Sequence, residues 1–154
     1  MIIREMNPSE YDLLKDFTYE AIFIPEGVTP PDRSIVELPE LAIYYKDFGS
    51  KPGDLAFAAE DDGQIIGAVW MRIMNDYGHV DDDMPSLALS VLEEYRGKGI
   101  GSLLLHDMVE SAKEKGYQKL SLAVQKANYA VRMYERAGFE TIRDSDEEYI
   151  MVRE

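Results

Sequence analysis

Three glycines at alternate positions, Gly97, Gly99 and Gly101, stand between two apolar stretches of different period. Upstream, Ser86 to Leu92 alternates, with Leu87, Leu89 and Val91 on one face, as a strand does. Downstream, Ser102 to Lys115 places Leu104, Leu105, Met108 and Ala112 at helical spacing, and Gly116 supplies a stop. The run Arg96-Gly97-Lys98-Gly99-Ile100-Gly101 is therefore a strand-to-helix turn. Glycine lets a backbone approach a ligand closely and turn its amides toward it. The free N–H groups and dipole of a helix start favour an anion. Arg96 and Lys98 add positive charge at the mouth, so these parts together predict a cradle for a diphosphate.

The rest of the chain reads as one domain over residues 1–154, of α/β (α+β) class, with a mixed, mostly antiparallel sheet flanked by helices. Ile2 to Met6 predicts a strand. Asn7-Pro8-Ser9-Glu10 opens a helix with a capping residue, a proline at the first position and a capping-box acid. Pro25, Pro30, Pro31 and Pro39 break regular structure over 24–39, and Glu40 to Phe48 predicts a second short helix stopped by Gly49. Leu55 to Glu60 and Gln64 to Ile73 flank the turn signal Asp61-Asp62-Gly63 and predict a hairpin. Leu120, Leu122 and Val124 alternate as a buried strand. A short helix from Asn128 to Ala137 and two closing strands complete the order.

Charge narrows the function. The formal net charge is −14, which disfavours nucleic acid. Residues 1–95 hold 6 Lys+Arg against 20 Asp+Glu, whereas 96–136 hold 8 basic against 4 acidic residues. That asymmetry suits a small anion held by the C-terminal half and a cationic partner drawn to the remainder. There is no cysteine, so disulfides, thiolate metal sites and a cysteine nucleophile are excluded. No metal is expected. Met1 to Glu5 lacks the apolar core of a signal peptide, and no apolar run nears the ~20 residues of a membrane span. A cytoplasmic protein away from membranes is the expectation.

Neither common nucleotide motif fits the glycines. No Lys-Ser or Lys-Thr follows them, as a P-loop requires, and the third glycine comes one residue early for a dinucleotide fold. The hexamer Arg96 to Gly101 matches the coenzyme A signature [Q/R]-x-x-G-x-[G/A] at each defined position. Asn128-Tyr129-Ala130-Val131-Arg132-Met133-Tyr134 through Gly138-Phe139 is similar to a second motif of the same family. On these residues the chain resembles the GNAT superfamily of N-acetyltransferases, well over 55–152 and by element order over 1–54.

The resemblance implies acetyl-CoA as cosubstrate and direct transfer of its acetyl group to a primary amine in a ternary complex. It assigns the pyrophosphate to the amides of Gly97, Lys98, Gly99, Ile100, Gly101 and Ser102, with Arg96 positioning the chain or meeting a phosphate. It assigns the pantetheine arm to the backbone of Leu89 and Val91, on a strand that splays from its neighbour, and to Asn128, which can equally cap its helix. It makes Tyr134 the acid that protonates the departing thiolate, and an N–H near Val91 the donor to the acyl oxygen. Gly99→Val is expected to weaken coenzyme A binding and leave the fold intact. The base has no such guide, because the strand Leu87 to Val91 has no acid. Glu20, Glu26, His79 and Asp81 to Asp83 are candidates, and Glu26 is preferred because its loop is placed to cover an acceptor. Trp70, Phe23 and Tyr19 are either pocket walls or core. The acidic half implies a cationic amine, and homodimers occur in the family. The alternative is a non-catalytic acyl-CoA binding or sensing module that keeps the cradle without chemistry.

Overall fold

The strands are β1 (Ile2–Glu5), β2 (Leu55–Asp61), β3 (Gln64–Arg72), β4 (Ser86–Val91), β5 (Leu120–Gln125), β6 (Glu140–Asp144) and β7 (Glu148–Arg153). In the computed structural model, which describes residues 1–154, they form one sheet in the order β1-β2-β3-β4-β5-β7-β6. All neighbours are antiparallel except β4 and β5. The helices are α1 (Leu14–Glu20), α2 (Pro39–Ala42), α3 (Ile100–Glu114) and α4 (Ala130–Arg136). The expected fold class and element order hold.

Local differences have local causes. The first helix begins as a 3₁₀ segment, Pro8–Leu13, before α1. Glu10 accepts the Asn7 N–H at 2.8 Å as a capping acid should, but it is also held by Arg4 at 2.8 Å, which fixes the segment to β1. The second helix is shorter than its spacing predicts: α2 ends at Ala42, and turns continue to Gly49. The carbonyls of Ile43 and Lys46 there accept from the buried Arg72 guanidinium at 3.1 and 2.6 Å. Side-chain donors from the sheet replace the helical ladder. The proline-rich stretch contains one 3₁₀ segment, Arg33–Glu37.

The sheet has two unequal faces. On one, α3 lays Leu104, Leu105, Met108 and Ala112 against Leu55, Val69, Leu87, Leu122 and Met151 in a core of 20 buried residues. On the other, α1 lays Leu14 and Phe17 against Ala56, Ala58, Ala68 and Trp70. Each buried leucine contributes about 1.5–3 kcal/mol by leaving water. The second face also binds its helix by polar ties, since the buried Ser90 hydroxyl donates to the Phe17 carbonyl at 2.7 Å.

Candidate active site

Beyond Val91 the chain makes one 3₁₀ turn, Glu93–Tyr95, and an extended Arg96 before the glycines. Gly97 has φ 78 and Gly99 φ 82, a region that side chains disfavour. A Cβ on either would meet no atom within 4 Å, so the loop faces open space. Gly99 is the N-cap of the 15-residue α3, whose first-turn N–H groups open at the same place. Lys98 lies over the Tyr95 ring at 5.6 Å, keeping its charge at the mouth. Amide donors, a helix dipole and a lysine beside open space fit a diphosphate. The Ile100 side chain is buried in the core, so it contributes backbone only, and Ser102 is exposed on the first helical turn. Gly101 has a different reason: a Cβ there would stand 3.1 Å from the Met133 sulfur, where α4 packs on α3. Valine at Gly99 would strain the start of α3 as well as enter the open space beside the loop, so it would not leave the fold untouched.

The cradle lies at the end of an opening in the sheet. A single register pair, Ser86 with Ser121, joins β4 to β5, and no later residue of either strand pairs across. The direction of the freed groups follows from β3. The Leu92 N–H donates to Ile66 of that strand at 2.9 Å. Alternation then turns the N–H groups of Val91 and Leu89 the other way, into the gap. Their side chains pack with the α3 core, Val91 buried and Leu89 partly so. The gap is thus bounded by unpaired main chain, as the splayed-strand expectation requires.

Three further predicted residues are each held by contacts within the fold. Arg96 turns away from the glycines: its Nε donates to the Val91 carbonyl at 2.8 Å, and its Nη2 reaches the Glu20 carbonyl at 3.2 Å and carboxylate at 3.3 Å. Asn128 caps α4, its side-chain oxygen accepting the Ala130 N–H at 2.9 Å. Tyr134 is buried on α4, edge-on to Phe139 at 5.9 Å between ring centroids. Burial pushes its phenol up to about 12, so it stays protonated through neutral pH and is able to donate.

A model of the acetyltransferase (GNAT) family matches residues 16–139. The chain belongs to that family. An N-alpha-acetyltransferase of Saccharolobus solfataricus is 31% identical, with 96% of this chain and 99% of that protein aligned. A mycothiol acetyltransferase of Propionibacterium freudenreichii is 32% identical over 59% of this chain, but the match spans only 29% of that longer protein. In fold, the chain superposes on PaiA N-acetyltransferase of Thermoplasma acidophilum in complex with coenzyme A, with a TM-score of 0.69, 22% identity, and 99% and 98% of the two chains covered.

Not every predicted residue of this acetyltransferase-family chain gathers at the opening. Trp70 is fully buried and donates to the Tyr44 carbonyl at 3.0 Å, so it is core. The Tyr19 hydroxyl donates to Pro31 at 2.6 Å and its ring lies under Arg33, which makes it a brace of the proline-rich stretch. Phe23 is half-buried beyond α1. Glu20 is engaged by Arg96, and His79 meets Asp82 at 2.9 Å in the exposed loop that also holds Asp81 and Asp83. Glu26 is exposed at the turn from Pro25 to Val28.

A carboxylate the sequence did not single out stands at the far rim. Glu148 pairs with Gln125, the last residue of β5. Leu120, Leu122 and Val124 point to the α3 core, so Gln125 and its partner face the α1 side. Burial, and then the Asp76 charge, raise the Glu148 carboxyl above its ordinary value. Asp76 itself accepts from Ser86 at 2.7 Å. The only sequence signal was an acid at the head of a strand, and such acids are common.

Proposed function

We propose that the protein transfers an acetyl group from acetyl-CoA to a primary amine by direct attack, over residues 1–154 as one acyltransferase domain. The observation that supports this most is the opening between β4 and β5, leading from the open space beside Gly97 and Gly99 to the inward-turned N–H groups of Leu89 and Val91. Acetyl-CoA supplies an activated thioester carbonyl. The chain's part is to hold and orient it. Amides from Gly97 to Ser102 receive the pyrophosphate, and the main chain of Leu89 and Val91 pairs with the pantetheine arm as an added strand would. The Val91 N–H donates to the acyl oxygen as negative charge develops there. The Asn128 side chain keeps its helix cap and borders the arm.

The amine nitrogen forms the new C–N bond while the C–S bond breaks. Tyr134 gives its proton to the sulfur, and the second proton that nitrogen sheds as the amide forms returns to the Tyr134 phenolate. The ammonium proton leaves first, to Glu26 or to Glu148. Glu148 has the added support of a carboxyl that burial and the Asp76 charge raise above its ordinary value, which favours proton uptake there. The acceptor is cationic, in keeping with 20 acids over residues 1–95, and an N-terminal α-amine is the first to try given the Saccharolobus relative. A cytoplasmic setting supplies both substrates.

Coenzyme A release, followed with acetyl-CoA and a panel of amines from pH 6 to 9, tests this. Release specific to one amine class supports transfer. A rise in melting temperature with acetyl-CoA, but no release with any amine, would favour the binding module instead. Glu148→Gln and Glu26→Gln separate the bases: the true one loses the ascending limb of the pH–rate profile.

A further inference from the structure

Arg96 occupies the signature position where a phosphate contact is the obvious expectation, yet its guanidinium joins two elements of the fold. One end is Val91, the last residue of β4, whose carbonyl faces the gap and has no partner on β5. The other is Glu20, the last residue of α1, whose carbonyl lies beyond the helical ladder. Both are acceptors that the main chain leaves unsatisfied, and one side chain serves both. The Glu20 carboxylate balances the charge at 3.3 Å. Arg96 immediately precedes Gly97, the first left-handed glycine of the cradle. Glu20 immediately precedes segment 21–32, which is exposed from Pro25 to Pro30 and includes Glu26. The remaining polar tie between α1 and β4, Ser90 to Phe17, is buried and one turn farther from the mouth.

We propose that Arg96 is a positioning residue, a strut between the cosubstrate cradle and α1 that makes the order of segment 21–32 depend on occupancy of the cradle. This rests on the reading of Gly97 to Ser102 as a coenzyme A site. An anion seated on those amides fixes the chain on either side of Gly97, hence the Arg96 backbone, hence the guanidinium on Glu20. The α1 terminus and the segment after it then lose freedom together. By linkage, an acceptor that orders the segment tightens coenzyme A to the same degree. A strut through a partly exposed pair belongs at the lower end of such couplings, about fivefold.

Hydrogen exchange of the full chain, with and without coenzyme A, reads the coupling directly. Wild type should show amide exchange in 21–32 slowed about fivefold by coenzyme A. Arg96→Lys keeps the charge but loses the forked geometry, and Glu20→Gln keeps the shape but loses the charge. Arg96→Lys should abolish that slowing and Glu20→Gln, which leaves the carbonyl contact, should reduce it, while the coenzyme A Kd, by calorimetry, moves less than about threefold in either. A tenfold weaker Kd in Arg96→Lys, with Glu20→Gln unaffected, would make Arg96 a phosphate ligand and overturn the strut. Slowing that persists in both variants would overturn it equally. Wild type that binds no coenzyme A at all would remove the cradle, and the strut with it.

Discussion

The two edges of β5 are built in opposite ways. Toward β7 the strand pairs along its whole length, from Leu120 with Arg153 to Gln125 with Glu148. Toward β4 it pairs once, at Ser86 with Ser121, and then diverges. The side chains on the core face are apolar on both sides, so hydrophobicity alone does not open the sheet. Pro85, Ser86, Asp76 and Gly78 hold the closed end of the gap: the Ser121 N–H donates to the Pro85 carbonyl at 3.0 Å, and the Ser121 hydroxyl to the Gly78 carbonyl at 2.7 Å. At the open end Arg96 takes the Val91 carbonyl for itself. A carbonyl satisfied by a side chain has less to gain from a neighbouring strand. One edge of the strand is closed by pairing, and the other leaves main-chain groups unpaired.

That division can be broken or sharpened by substitution. The largest effect belongs to the open edge: Tyr134→Phe should lower kcat by about 100-fold, the smaller end of what a general acid contributes. Its acetyl-CoA Kd should hold within about twofold, because the proton donated is used only as the thiolate leaves. An unchanged kcat in single-turnover assays would remove Tyr134 as the acid. At the closed edge Met151, fully buried opposite Leu122, should behave in the converse manner. Met151→Ala should cost about 2–5 kcal/mol in urea unfolding, with kcat per folded molecule unchanged. A Met151 variant that lost turnover without losing stability would erase the distinction between the edges.

Glycine variants are the next test. Gly97→Ala puts a methyl group into the open space beside the loop at φ 78. It should weaken coenzyme A about tenfold and cost about 1 kcal/mol in the left-handed backbone. Gly101→Ala instead crowds the flexible Met133 side chain and should leave the Kd nearly as it was. Equal effects from the two alanines, measured by calorimetry, would argue that the cradle is a packing feature.

The smallest effect concerns acid, and it should arise far from the gap. Arg4 at the β1 edge and the Asn7 N–H together lower the Glu10 carboxyl from its ordinary 4.5 to about 2. A carboxyl depressed on folding adds stability above its unfolded pKa and loses that contribution as pH falls through the folded one. Glu10→Gln should therefore lower the melting temperature at neutral pH and flatten its decline between about pH 4.5 and 2, where wild type loses the same contribution. An acid limb as steep as that of wild type would assign the sensitivity elsewhere.

The parts of the site legible in the sequence are local ones. The glycine turn, the caps at Asn7 and Asn128, the hairpin at Asp61–Gly63 and the apolar stripe of α3 each depend on residues a few positions apart. Periodicity and left-handed glycines report them directly. What stayed hidden depends on separation. Arg96 points to Glu20, 76 residues away, so its sequence position names a phosphate while its geometry names a carboxylate. Glu148 became a candidate base only once antiparallel pairing set it opposite Gln125 and burial raised its carboxyl. Trp70, open to either role as an aromatic on a strand, was decided as core by the Tyr44 carbonyl that receives its N–H. By itself the sequence determined the family, the element order and the glycine turn between β4 and α3, because torsional preference and side-chain period act over neighbouring residues. Tertiary structure alone decided where the sheet opens, which charges face the opening and which are spent holding it. Coulomb forces and desolvation depend on distances in space, which the chain acquires only when it folds.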